Sequence, residues 1–404
     1  MINNEKNVLL YIIFLAYPFL PKIGFFGQYI YVQELLFLVL ILSIKSFKIN
    51  NSYRFIYILN ILLICYIFFI IICNNFDINL NIIKYLKQLF LFFILIPLSN
   101  IKNIELDKLI KCIILTWTGI FLINLLLIIL NYIVNRPELI NYLYDYTPTL
   151  RVIGLTGSGI SFAEGFRNSY FGNELGTTSI SVSILIALIL CIVALSDYKY
   201  KLILGLILFV ELLFTFSRSG LVIIFIAYLI SLINTEYKKY RIFFTKIGFF
   251  SFLLIITFGI EIVGGMNKFN IFDSNSTSTI EIRSEYWGKF FSYVINQPFE
   301  SIFGIALFNK NTSDIIGTDY AESLLFDLFL NFGLIGILYF IFIFYFLYKR
   351  IMTKNYDLKY INIRKSLLIF MPGFIFVNIV SGSSLLTDFL LPFFLLLIVS
   401  IKKS

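Results

Sequence analysis

Residues 214–230 read FTFSRSGLVIIFIAYLI, and the reading of this stretch decides the fold. It lies inside a longer apolar run, 202–233, whose only charged residues are Glu211 and Arg218. As one helix that run would be about 48 Å long, too long for a hydrocarbon core of about 30 Å. It would also carry a guanidinium near mid-bilayer, where insertion costs about 2.5–3.5 kcal/mol and loss of the proton offers no escape. Two helices meeting at Ser217-Arg218-Ser219-Gly220 remove both difficulties, because the arginine then sits at a membrane–water boundary. The stretch therefore predicts a polytopic helical membrane protein.

Composition agrees. Hydrophobic residues make up 59% of the 404-residue chain and charged residues only 14%, far less charge than a water-soluble domain carries. The 47 Phe and 26 Tyr suit lipid-facing and interfacial surfaces. The net charge of +9 resides largely in short connections, where Lys and Arg set topology, so nucleic acid is not an expected partner. The absence of histidine excludes His-based catalysis, His metal sites and His pH switches. Cys65, Cys73, Cys112 and Cys191 all lie within apolar runs, which predicts neither a disulfide framework nor a zinc site. No Asp-x-Asp pair suggests a magnesium site, and GLTGSG at 154–159 lacks the lysine of a phosphate loop. No metal or cofactor is expected. The first apolar run, from Val8, is interrupted by Pro18 and Pro21 and reads as a retained span rather than a removed signal.

Working outward, about twelve segments approach the length needed to cross a bilayer: 8–21, 28–44, 54–73, 82–98, 109–133, 177–196, 201–216, 219–234, 243–263, 324–347, 366–382 and 385–401. The fold class is all-α integral membrane protein, a single polytopic domain over 1–404. Basic residues at 45–54, 102–111, 199–201, 238–246, 349–365 and 402–403 all fall on one side of this arrangement, which makes that side cytoplasmic and places both termini there. Two long connections fall outside, at 134–176 and 264–323. The second opens with the polar tract DSNSTSTIE. It continues as IRSEYWGKFFSYVIN, with Trp287, Phe290, Phe291 and Val294 at helical spacing, which predicts a helix at the outer interface.

The candidate site residues cluster on that outer side. Of nine arginines, five are there: Arg136, Arg151, Arg167, Arg218 and Arg283. Lysine is mostly inside. Topology does not distinguish the two, so arginine outside points to its planar fork, which grips phosphate with two parallel hydrogen bonds. Snorkelling of Arg218 to lipid phosphates, or pairing with Glu211, is the alternative. The second candidate is GTDYAESLLFDLFLNFGLIGILYF, 317–340, where an outer connection leads into a span. Asp319 and Glu322 are three residues apart at its start. They either cap a helix or supply a general base, with Glu322 nearer the bilayer and the first choice. Asp327 and Asp388 read as structural polar contacts. Trp287 and Tyr320 have the flat faces that stack on sugars, and Trp287 also suits interfacial anchoring.

Four of these features together resemble the bacterial O-antigen ligase and polymerase superfamily. They are FTFSRSG opening a span, Arg283 and Trp287 leading to Pro298 and SIFGIAL around Gly304, the short signature Ala321-Glu322-Ser323, and NFGLIGIL at 331–338. The likeness covers about 200–345. It implies an all-helical GT-C-like glycosyltransferase with periplasmic outer loops in the bacterial inner membrane. It implies a substrate carried on undecaprenyl diphosphate, and a flippase and a chain-length regulator as partners. Ligases of this superfamily usually carry an essential histidine where this chain has Glu322, so the likeness is to the Wzy-type polymerases. The Arg-x10-Gly motif of some polymerases is absent: Phe162 lies eleven residues after Arg151, and Val294 eleven after Arg283. On this reading Arg218 and Arg283 hold the diphosphate, with Arg151 and Arg167 as further binders, and Glu322 or Asp319 acts on the acceptor hydroxyl. A ligase acting on lipid A-core and a lipid-linked oligosaccharide flippase or transporter are the alternatives.

Overall fold

A computed structural model describes residues 8, 10–15, 22–25, 28–42, 53–75, 85–86, 89, 92–94, 98, 106–134, 178–214, 218–249, 274–318, 323–352, 356–380 and 390–401. The helices, in chain order, are α1 (Val32–Leu42), α2 (Arg54–Cys73), α3 (Leu106–Val134), α4 (Thr178–Leu195), α5 (Lys201–Phe214), α6 (Arg218–Ile233) and α7 (residues 238–249). There follow α8 (Ser274–Asn296), α9 (Pro298–Phe303), α10 (Thr312–Ile316), α11 (Leu324–Ile351), α12 (Ile361–Val380) and α13 (Leu390–Ser400). Arg54–Cys73, Leu324–Ile351 and Leu358–Val380 are each long and apolar enough to cross a membrane, with shorter apolar helices at Ser183–Leu195 and Ser219–Ile233. The molecule is a helical membrane protein.

One short element departs from the all-α expectation. Strands β1 (Lys22–Phe25) and β2 (Gln28–Tyr31) pair antiparallel, Lys22 opposite Tyr31 and Phe25 opposite Gln28. Tyr and Ile favour a pleated surface. The expected span 28–44 is accordingly a strand followed by the 11-residue α1. Residues 134–176 and most of 82–98 and 250–273 lie outside the described residues, apart from Val134 and a few positions between 85 and 98.

At the centre stands α4. Every residue from Ser183 to Ser196 is buried, as expected of a helix that is apolar all round. Helices α5, α6 and α12 pack on it. Small residues set the spacing. A methyl group on Gly373 of α12 would lie 2.8 Å from the Ile223 Cα of α6, and one on Gly220 would overlap the Ser183 carbonyl oxygen of α4. Such close approach is how membrane helices gain packing energy when lipid is as apolar as the side chains.

The bundle has two distinct ends. At one, Lys239 pairs with Asp197 at 3.1 Å, Lys365 with Glu236 at 3.7 Å and Lys359 with Asp107 at 3.9 Å. Asn362 donates to Asp197, and Arg364 to the Ile351 carbonyl. These exposed pairs are individually worth little. Their meaning is positional, since they join connections that the basic-residue pattern assigns to one side. At the other end stand the start of α6, the end of α12 and the end of α2, which runs beside α11.

The pair α2–α11 is joined by a buried hydrogen bond. The Tyr339 hydroxyl donates to the Asn60 Oδ1 at 2.8 Å, and both side chains are buried. Interhelical hydrogen bonds in membrane proteins are worth about 1 kcal/mol. Tyr339→Phe is expected to lower stability in detergent by about that much, measured by thermal unfolding. A change near zero would mean the bond contributes nothing net.

Candidate functional site

The end remote from the basic pairs is covered by a helical cap, residues 274–318. Its longest element, α8, starts at Ser274, so the polar tract that opened the second outer connection is already helical. The chain turns at Gln297 into α9, where Pro298 occupies the first helical position that proline favours. Gly304 then takes φ 87°, Asn309 φ 56° and Gly317 φ 82°. Asn311 and Asp314 cap α10 reciprocally. A small core of Phe290, Ile305, Ile316 and Leu330 joins the cap to α11.

The apolar face of α8, expected at the outer interface, packs in part against α11. Phe290 stacks on Phe326 at 4.7 Å, and Trp287 meets the same ring edge-on at 5.5 Å. The Trp287 indole nitrogen is buried. Trp287, half-buried, ties the cap to α11 through this ring contact.

Beneath the cap, α11 is broken. Gly333 has φ 61° and ψ −142°, a region essentially restricted to glycine. The bend brings Leu328 and Gly336 together, so that a methyl on Gly336 would overlap the Leu328 carbonyl oxygen. Along a straight helix residues eight apart lie about 12 Å apart. Residues 334–351 then form the membrane-length arm, about 27 Å, and 324–332 a short arm under the cap. This revises the straight span expected from 324. The break also receives the cap. A methyl on Gly333 would overlap the Ile302 carbonyl oxygen and lie 2.7 Å from the Gly304 nitrogen, and one on Gly304 would lie 2.6 Å from the Phe332 Cα. The segments SIFG and NFG thus meet backbone to backbone.

The short arm is fixed at its start by Ser323. Its hydroxyl accepts from the Phe326 amide, capping the helix, and donates to the Ile379 carbonyl at the end of α12. Glu322 precedes it directly in sequence. Asp319, Tyr320 and Glu322 lie outside the described residues, as do Arg151 and Arg167. Arg218 opens α6 and Arg283 lies in α8 one turn before Trp287; the side chains of both are outside the described residues. Of the turn expected at 217–220, Arg218, Ser219 and Gly220 are already helical, and Ser217 lies outside the described residues.

Three buried polar residues were not predicted as a group: Thr312, Asp327 and Asn331. The Asn331 Nδ2 donates to the Asp327 carbonyl at 2.8 Å and to the Thr312 hydroxyl at 3.4 Å, tying the cap to the short arm. Asp327, expected to be a structural polar contact, is buried within the short arm. Within the cap, Lys310 bridges both Glu300 oxygens at 2.8 and 2.6 Å, and the Tyr293 hydroxyl donates to the same carboxylate. Nothing in the spacing of these three residues signalled the cluster. Hydrogen bonds from Lys310 and Tyr293 hold the Glu300 carboxyl below the usual range, while burial first and then Glu300 push the Tyr293 phenol up. A carboxyl depressed in the folded state stabilises above its unfolded pKa of about 4.3 and loses that contribution as pH falls through the folded value. Acid is thus expected to loosen the cap below about pH 4. Glu300→Gln should remove this pH dependence in hydrogen-exchange measurements on 274–318; an unchanged profile would assign it to other groups.

Comparison with known proteins finds no family model, no curated protein and no solved structure that matches this chain.

Proposed function

We propose that this protein is a Wzy-type polysaccharide polymerase, a metal-independent membrane glycosyltransferase with a GT-C-like arrangement of about twelve spans. It works at the outer face of a bacterial inner membrane, with its basic end and both termini in the cytoplasm. The observation that supports this reading is the convergence at the capped end. Segments that carry the sequence resemblance, SIFG at 301–304 and NFG at 331–333, pack against each other there. Trp287 rests on Phe326, and Ser323 of the Ala-Glu-Ser signature is pinned to α12.

In this mechanism the donor is a growing chain on undecaprenyl diphosphate and the acceptor a lipid-linked repeat unit. The acceptor hydroxyl oxygen attacks the anomeric carbon and forms the new glycosidic bond. The bond from that carbon to the diphosphate oxygen breaks, and undecaprenyl diphosphate leaves with the electron pair. Glu322 takes the hydroxyl proton, with Asp319 as the alternative base. Fixed guanidinium groups stabilise charge on the leaving group, a role assigned to Arg218 and Arg283 and, on the first outer connection, to Arg151 and Arg167. Tyr320 stacks on the sugar.

The test is a gel of surface polysaccharide from cells lacking the gene, with and without complementation. The reading expects single repeat units in the null strain and a restored ladder on complementation. A normal ladder in the null strain overturns it. Loss of all lipid A-core attachment, with long chains accumulating on undecaprenyl diphosphate, would identify a ligase instead.

A further inference from the structure

The cap carries a surface that neither the bundle nor the proposed chemistry uses. On α8, Phe290, Tyr293 and Val294 turn toward α11. Glu285, Lys289, Ser292 and Asn296 are exposed, and Lys289 pairs with Glu285 at 2.6 Å. Between these faces runs a strip of uncovered apolar side chains: Phe291, Ile295 at 77% exposure, Phe299 at 65%, Ile302 and Phe303. The strip crosses the elbow at Gln297, so two helices of different direction present one continuous apolar edge. An apolar edge of this extent marks an interaction surface.

Its neighbour identifies the occupant. The Tyr66 hydroxyl of α2 donates to the Phe303 carbonyl, and the Asn74 side chain donates to the Ala306 carbonyl at 2.8 Å. Tyr66 and Asn74 bracket the last turns of α2. That helix has 20 residues and spans about 30 Å, the thickness of the hydrocarbon core. The end of α9, one short helix beyond the elbow, therefore sits beside the last turns of a membrane-spanning helix and not above it. The α2 residues at that level, Phe68, Phe69 and Ile72, are exposed too, so the strip continues the surface that faces lipid. The adjacent polar face of α8, with Lys289, then lies at headgroup level, the pattern of an interfacial amphipathic helix.

We infer that the α8–α9 elbow is seated in the bilayer, with Phe291, Ile295, Phe299, Ile302 and Phe303 among lipid acyl chains. It holds the cap by two contacts at once, protein on one side of α8 and membrane on the next. The inference rests on the membrane character of the bundle and does not depend on the polymerase reading.

The test uses the full chain reconstituted in phosphatidylcholine vesicles. Trp117 and Trp287 are replaced by Phe, and one tryptophan is introduced as Phe299→Trp or Ile295→Trp, with Ser292→Trp on the polar face for comparison. Phe299→Trp and Ile295→Trp should show blue-shifted emission and lose fluorescence with lipids brominated along their acyl chains. Ser292→Trp should lose it with aqueous iodide. Iodide quenching at all three positions would mean the strip is wet and overturn the inference. Protection of the 295 and 299 positions from both quenchers would mean a protein surface, such as a second copy, covers the strip, and would also overturn it. If the Phe background fails to fold, the same quenching is read as a difference from wild type with both native tryptophans kept.

Discussion

Gly333→Ala is expected to be the most damaging single methyl addition in the described structure. Two independent terms act. The first is conformational: φ 61° with ψ −142° costs a residue with a Cβ roughly 1–3 kcal/mol. The second is steric, because the added methyl overlaps the Ile302 carbonyl and approaches the Gly304 nitrogen. Neither partner is a flexible side chain that can swing away, and overpacking of this kind costs roughly 1–3 kcal/mol more. Together they amount to about 2–6 kcal/mol, enough to detach the cap or straighten α11. Gly288→Ala is the matched control, since it lies in a helix with nothing within 4 Å of the added methyl. It should be neutral or slightly stabilising. Thermal unfolding in detergent measures both. If Gly333→Ala behaves like Gly288→Ala, the bend and its contact with the cap are not features of the native state.

The largest effect on activity is expected at Glu322. Glu322→Gln keeps shape and removes the proton acceptor, and loss of a positioned general base lowers the rate by about 10²–10⁴-fold. Arg218→Ala should lose about 10²-fold, the usual consequence of deleting one donor to a developing charge. Arg218→Lys should recover only part of this, because an ammonium cannot reproduce the planar fork. The contrast separates the two roles of Arg218: a residue that merely snorkels to headgroups is replaced by lysine without loss. Rates are compared at matched membrane expression. Full activity in Glu322→Gln removes the base from the mechanism.

The sequence made some of this legible and hid the rest for physical reasons. The bounds of Arg54–Cys73 could be read because charged and polar residues flank a uniform apolar run. That separate helices end at Phe214 and start at Arg218 was legible because a guanidinium within so long an apolar run is costly anywhere but at a boundary. The central place of α4 was not legible. In a membrane protein both lipid-facing and buried positions are apolar, so Ile184–Leu195 looks like any other span. The bend in α11 was equally hidden. NFGLIGIL announced close backbone approach, but glycine is common in membrane helices, and nothing local states that Gly333 adopts positive φ. The Asn60–Tyr339 bond and the Tyr293–Glu300–Lys310 cluster join residues brought together only by folding. At the candidate site, Arg218, Arg283, Asp319 and Glu322 were singled out because they are charged groups near a membrane boundary, and Tyr320 for a flat face that can stack on a sugar. The residues that organise the cap, Gly304, Thr312 and Asn331, carry no such chemical mark.

The most direct test of the central claim is chain elongation by the purified protein in lipid nanodiscs, supplied only with undecaprenyl-diphosphate-linked repeat units. A polymerase forms a ladder of longer lipid-linked chains and releases one undecaprenyl diphosphate for each unit added, and Glu322→Gln abolishes both. Unchanged single units with no undecaprenyl diphosphate released, from wild-type protein that is folded and membrane-inserted, would contradict the account.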